Sequence, residues 1–183
     1  MIKIDFGCGG SKKPGFIGVD ILQLDGVDIV HNLTSFPYPF EDNSVDEIWL
    51  DNVLEHIPNP MRVVEELWRI SKGGTKLTIA VPYCRSHWAT IDPTHVNFFG
   101  VNWFNYFDPS HPFQQKMQYS KATFKVEKFV FDREWLEKGE TGIFHRLLLK
   151  FAQKNPDGYE TKLSHILPLN SLTFYLTAIK PVN

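Results

Sequence analysis

At 183 residues, 43% of them hydrophobic and 22% charged, the chain has material for one substantial core and little length for a second, so it reads as a single domain over 1–183. A formal charge of -2, with Lys12-Lys13 as the only adjacent basic pair, argues against a polyanion-binding face, and nucleic acid is not expected as a partner. Two isolated cysteines, Cys8 and Cys84, exclude a disulfide framework; with no apolar run long enough for a membrane span and no leader before the first strand pattern, a reduced, cytoplasmic setting is expected.

Residues Ile2 to Phe6 alternate apolar and polar and stop at Gly7-Cys8-Gly9-Gly10, which predicts a short strand feeding a tight turn. A second strand, Phe16 to Ile21, follows too soon for a full crossover helix, so that helix is expected to be one turn or absent. Val27 to Val30 predicts a third strand, Thr34 to Ser44 a loop, and Asp46 to Leu50 a fourth strand ending at Asp51-Asn52. Asn59 as cap and Pro60 at the first helical position start a helix whose buried face is Val63, Val64, Leu67 and Trp68. Gly73-Gly74 is expected to end that helix in a left-handed turn, with Lys76 to Val81 as the fifth strand. Tyr83 to Gln118 is irregular and aromatic and reads as a lid or substrate wall that includes Phe98, Phe99, Phe104 and Phe107. Phe124 to Phe131 and Ser171 to Ile179 close the pattern as strands, with an amphipathic helix at Ile143 to Lys154 between them. The sum is an α/β chain: a Rossmann-like, doubly wound, mostly parallel sheet of about seven strands with an antiparallel edge hairpin and helices on both faces. Ligands of such sheets bind at the C-terminal strand ends.

Glycines let a backbone turn approach a ligand, and a carboxylate at the next strand end can accept both hydroxyl hydrogens of a ribose. The turn after Asp5-Phe6 and the later Asp20 therefore describe a nucleoside-binding edge. A dinucleotide fingerprint would need a third glycine near Lys12, a full helix for pyrophosphate and a later acid; their lack disfavours a nicotinamide oxidoreductase.

Four segments resemble those of class I S-adenosylmethionine-dependent methyltransferases, especially small members with a shortened first helix. They are Asp5-Phe6-Gly7-Cys8-Gly9, Gly18-Val19-Asp20-Ile21, Asn52-Val53-Leu54-Glu55-His56-Ile57, and Arg69-Ile70-Ser71-Lys72-Gly73-Gly74 running into Leu77 to Pro82. The last lacks the proline that the family places before its glycines. The resemblance covers residues 1–82 and implies S-adenosyl-L-methionine as cofactor, a cofactor-binding half at 1–82 and a substrate-side half at 83–183 with the lid at 83–118. It assigns the methionine part to the backbone of Gly7, Cys8, Gly9 and Gly10, with Asp5 helping to fix the turn or its water, the ribose to Asp20 beside Ile21, adenine to Asn32 and Leu33, and the sulfonium or amino end to Asp51 and Asn52.

His56 and His95 are the candidate proton acceptors, since the reference histidine pKa is near neutrality. No metal is expected: His87, Asp92 and His95 fit no zinc spacing, and Asn52 stands where an acid would be needed to extend the Glu55-His56 pair. The acceptor is expected to be a small molecule, and a homo-oligomer is left open. The alternative to an enzyme is a non-catalytic S-adenosylmethionine-binding regulatory or scaffold module, suggested by the near absence of residues before the first strand.

Overall fold

The computed structural model describes residues 1–139 and 141–181. β1 (Lys3–Phe6) buries Ile4 and Phe6 completely and pairs in parallel with β2 (Ile17–Asp20). Turns alone connect them, as the short interval demands. β3 (Ile29–Val30) is a two-residue edge beside β2, and β4 (Val45–Asp51) lies parallel to the other flank of β1.

A single turn of 3-10 helix, Leu54–His56, follows β4 and precedes α1 (Pro60–Ile70). The α1 start is the predicted one: Asn59 Oδ1 accepts from the Arg62 N–H at 3.3 Å and Pro60 opens the helix. Val63, Val64, Leu67 and Ile70 are fully buried. Trp68 is only half-buried, and its indole N–H donates to the Ile179 carbonyl at 2.7 Å.

The helix end corrects the sequence reading. α1 stops at Ile70 and the chain passes directly into β5 (Ser71–Pro82), with Ser71 extended and its hydroxyl donating to the Leu67 carbonyl at 2.6 Å. Gly73-Gly74 instead occupies a register shift between the Val45/Ser71 and Glu47/Lys76 pairs of β4 and β5, with Gly74 at φ +89°. An irregularity of this kind needs a left-handed residue, which glycine supplies without a Cβ clash.

After β5 come the short α2 (Trp88–Ile91), a 3-10 turn at Trp103–Tyr106, α3 (Pro112–Met117) and β6 (Phe124–Phe131). α4 (Arg133–Lys138), α5 (Ile143–Lys154) and α6 (Pro156–Lys162) lead to β7 (Ser171–Ala178). β7 inserts antiparallel between β5 and β6, giving the strand order β3-β2-β1-β4-β5-β7-β6. The antiparallel edge pair is as expected, but three helices connect its strands and only α5 is legible as a pattern. Consecutive residues Ile79, Ala80 and Val81 in β5, and Leu172, Thr173 and Phe174 in β7, are all buried. Neighbouring strand residues face opposite sides, so the sheet is covered on both.

The aromatic segment is not one lid. Phe99, Phe104 and Phe107 are fully buried core residues, with the Phe104 and Phe174 rings 4.8 Å apart. Phe98 is exposed, and the wall-forming residues of the segment are Trp88, Ile91, Asp92 and His95. A ring that fills the gap between elements gains more from burial than one left on a wet wall, and the core claims most of these side chains.

Candidate functional site at the C-terminal strand ends

The turn after β1 is held by backbone and carboxylate together. The N–H groups of Gly7 and Cys8 both donate to the Val19 carbonyl, at 2.7 and 3.3 Å. Asp20 accepts from the Gly9 N–H at 2.9 Å on one oxygen and from the Leu22 N–H at 3.0 Å on the other. Asp5, 4% exposed, accepts from the Lys13 N–H at 2.8 Å; burial raises its pKa, opposed by that hydrogen bond and the Lys13 charge. Gly7 has φ +67°, and a Cβ there would lie 2.4 Å from Val53 Cγ2. Gly9, at φ +53°, has nothing within 4 Å of its missing Cβ, so the turn presents bare backbone to the outside. Burial and the neighbouring Asp5 and Asp20 carboxylates push the Cys8 thiol up, which keeps it protonated at neutral pH.

Two cavities meet at Gly7. One, of about 430 Å³, is polar and carries both signs of charge: Lys13 and Arg133 against Asp5, Asp51 and Glu134. Trp49 forms its floor, with Lys13 Nζ 3.6 Å and the Arg133 guanidinium 4.6 Å from the ring centroid. Asp51 takes an ion pair from Arg133 at 3.2 Å; burial nevertheless raises its pKa, with Arg133 pulling the other way. The second cavity, of about 350 Å³, is more apolar and runs between Asp20, Ile21, Asn32, Leu33, Val53 and Ile57. Asn32 Oδ1 is already engaged by the Thr34 N–H and hydroxyl, both at 2.9 Å, so Asn32 builds the turn and only its amide nitrogen remains free for a ligand.

A third cavity, of about 440 Å³, shares Asn52 and His56 with the second and extends past Glu55, Trp88, Ile91, His95, Trp135 and Asn170. The 3-10 turn after β4 and the loop after α2 build it jointly. Val96 and Asn97 donate their N–H groups to the Glu55 carbonyl at 2.8 and 3.1 Å. The Asn97 side chain donates to the Leu54 and Ile57 carbonyls at 3.0 and 2.6 Å. The clamp brings the His56 and His95 rings to 4.6 Å. Burial, then the proximity of His95, lowers the His56 pKa, so its ring is neutral at neutral pH. Glu55 is 1% exposed, neither carboxylate oxygen has a hydrogen-bond partner among the described residues, and burial pushes its pKa up to about 7.

Of the eleven expected cofactor positions, Asp5, Cys8 and Asp51 border the first cavity, Asp20, Ile21, Asn32, Leu33 and Asn52 the second, and Gly7 both; Gly9 borders neither but donates its N–H to Asp20, and Gly10 borders neither. His56 and His95 meet in the third cavity. Arg133, Glu134 and Trp135 were not legible in the sequence, because no motif marks the start of α4 and only the β6–β7 pairing brings it beside β4. Glu55 lay in a quoted segment, but its burial without a partner is a tertiary property.

Residues 4–79 match the family model described as a methyltransferase domain. A demethylmenaquinone methyltransferase of Bacillus cereus (strain B4264) is 36% identical over 59 residues, which cover 32% of this chain and 24% of that protein. The match thus spans about a quarter of the curated relative. The structure of the YcgJ protein from Bacillus subtilis superposes with a TM-score of 0.54 at 15% identity, covering 99% of this chain and 92% of that one. A SAM dependent methyltransferase from Aquifex aeolicus gives a TM-score of 0.53 at 14% identity, covering 98% and 82%. The chain shares the fold of these two structures, the second of them a SAM dependent methyltransferase, and its residues 4–79 match the methyltransferase-domain model.

Proposed function

We propose that the chain is an S-adenosylmethionine-dependent methyltransferase acting on a small-molecule acceptor. The observation that carries this reading is the pair of cavities meeting at Gly7, one charged in both signs and one largely apolar, with Asp20 at the far side. That division suits a zwitterionic amino-acid end joined to a nucleoside. Lys13 and Arg133 would hold the carboxylate, Asp51 and Glu134 the ammonium, and Asp20 the ribose. Leu33, Val53 and Ile57 would flank the adenine, with Asn32 offering its amide nitrogen. The Gly7–Gly9 backbone lets the chain of the ligand pass close by.

When bound, S-adenosylmethionine supplies an activated methyl group whose bond to sulfur breaks as the acceptor bond forms, leaving S-adenosylhomocysteine. The chain's own work is alignment and exclusion of water. The acceptor would enter the third cavity, between Trp88, Ile91 and Trp135, and face the cofactor across Asn52 and His56. Where the acceptor must lose a proton, His56 or His95 would take it. The relative named a demethylmenaquinone methyltransferase supports an aromatic small-molecule acceptor, as do the two tryptophans of the wall. In the described residues no helix is long and apolar enough to cross a membrane.

The test is isothermal titration with S-adenosylmethionine and S-adenosylhomocysteine. Saturable binding, lost in Asp20→Ala, supports the reading; no binding to the wild type refutes it. Turnover with any acceptor would then reject a purely regulatory module.

A further inference from the structure

Glu55 and His56 come from the 3-10 turn after β4 and His95 from the loop after α2, and one ligand atom of each lies within 4.8 Å of the others. Hydrogen bonds around the two rings fix which atoms are free. Thr94 Oγ1 donates its only proton to Asp92 Oδ1 at 2.6 Å, so it can only accept from His56 Nδ1, 2.8 Å away. His95 Nδ1 lies 3.3 Å from the Ala89 carbonyl, which also can only accept. Both rings are therefore held with the proton on Nδ1 and a lone pair on Nε2. A partner on the second nitrogen that fixes the tautomer is the usual surrounding of a metal-bound histidine.

The second observation is Glu55. Its carboxylate is 1% exposed, borders the third cavity and has no partner on either oxygen among the described residues. A carboxylate is seldom left so inside a protein unless something is bound to it.

We propose that Glu55, His56 and His95 form a binding site for a divalent first-row transition ion on the wall of the third cavity. Two imidazoles and one carboxylate suit zinc, cobalt, iron or manganese better than magnesium or calcium, which prefer an all-oxygen shell. Bonds of about 2.0–2.2 Å at tetrahedral angles put ligand atoms about 3.3–3.6 Å apart, so the side chains close by up to about 1.5 Å on the ion. Three protein ligands leave open positions toward Trp88, Trp135 and Asn170, where an acceptor oxygen would complete the shell. This last point rests on the methyltransferase reading and favours hydroxyl-bearing acceptors. An ion there takes the lone pairs that the rings would otherwise offer to a proton.

The experiment needs neither cofactor nor acceptor. Tag-free protein, stripped with chelator, is titrated with Co²⁺ while its d–d absorption is recorded, and with Zn²⁺ by calorimetry. One ion per chain is expected, with affinity falling more than about 10-fold in Glu55→Gln and in His95→Gln. Thr94→Val keeps all three ligands but frees the His56 ring, and should weaken binding by about 10–100-fold. Thermal unfolding of each stripped variant shows that the fold is intact. No stoichiometric uptake, or uptake unchanged in Glu55→Gln and His95→Gln, overturns the proposal. Either result leaves the S-adenosylmethionine titration standing on its own.

Discussion

Replacing Gly7 by alanine tests the packing of the nucleoside edge. The new Cβ would sit 2.4 Å from Val53 Cγ2 and 3.2 Å from Cγ1, on a backbone at φ +67°. The left-handed conformation costs a residue with a Cβ about 1–2 kcal/mol, and forcing a methyl into a filled space adds about 1–3 kcal/mol. Gly7→Ala should therefore destabilise by roughly 2–5 kcal/mol. Val53→Ala removes two methyl groups from a side chain that is 9% exposed, a loss of roughly 1.6 kcal/mol at ~0.8 kcal/mol per group. The double variant has no clash left, so it should be more stable than the sum of the single effects by about 1–3 kcal/mol. Urea unfolding of the four proteins measures this directly, with calorimetric titration of S-adenosylmethionine as a second readout. The conformational part of the Gly7 defect should persist in the double variant and the steric part should vanish. Strictly additive effects would refute the proposed contact and the placement of Val53 beneath the turn.

Three further outcomes are expected. Asp20→Asn keeps the shape of the side chain but loses its charge; about 1.5–3 kcal/mol of charged hydrogen bonding corresponds to S-adenosylmethionine binding weaker by about 10–100-fold, and unchanged affinity in calorimetry would remove Asp20 from the ribose site. Glu55 has a folded pKa of about 7 against 4.5 for the free group, so both states are protonated at low pH and the unfolded state ionises first as pH rises. In chelator, the wild type should lose up to ~3 kcal/mol relative to Glu55→Gln between about pH 4 and pH 8, and a pH-independent difference in urea unfolding would contradict the burial argument. Arg69 joins Glu66, Asp42 and the carbonyls of Tyr38 and Phe40; Arg69→Met should cost roughly 1.5–3 kcal/mol in stability while leaving cofactor affinity alone, and a loss of affinity in calorimetry would show coupling to the site.

Features that depend on neighbours along the chain were legible in the sequence. Alternation located β1, because strand faces repeat every second residue. Asn59-Pro60 located the start of α1, because cap and first turn are local chemistry. The short interval between Phe6 and Ile17 ruled out a crossover helix, and the glycine turn with Asp20 marked the strand-end edge where two cavities lie.

What required the tertiary structure was every property set by distant residues. Gly73-Gly74 looked like a helix end, yet the register between β4 and β5 makes it a strand irregularity. The aromatic rings of 83–118 could not be sorted by pattern, since core and wall differ only in what packs against them; Phe104 meets Phe174 from β7, while Trp88 meets open space. Arg133 reaches Asp51 only because β7 carries β6 and α4 back beside the parallel strands. His95 is separated from the adjacent Glu55 and His56 by α1, β5 and α2, and the Asn97 clamp closes that distance. Burial of a carboxylate without a partner is a property of the assembled site, which is why no spacing rule in the sequence announced it.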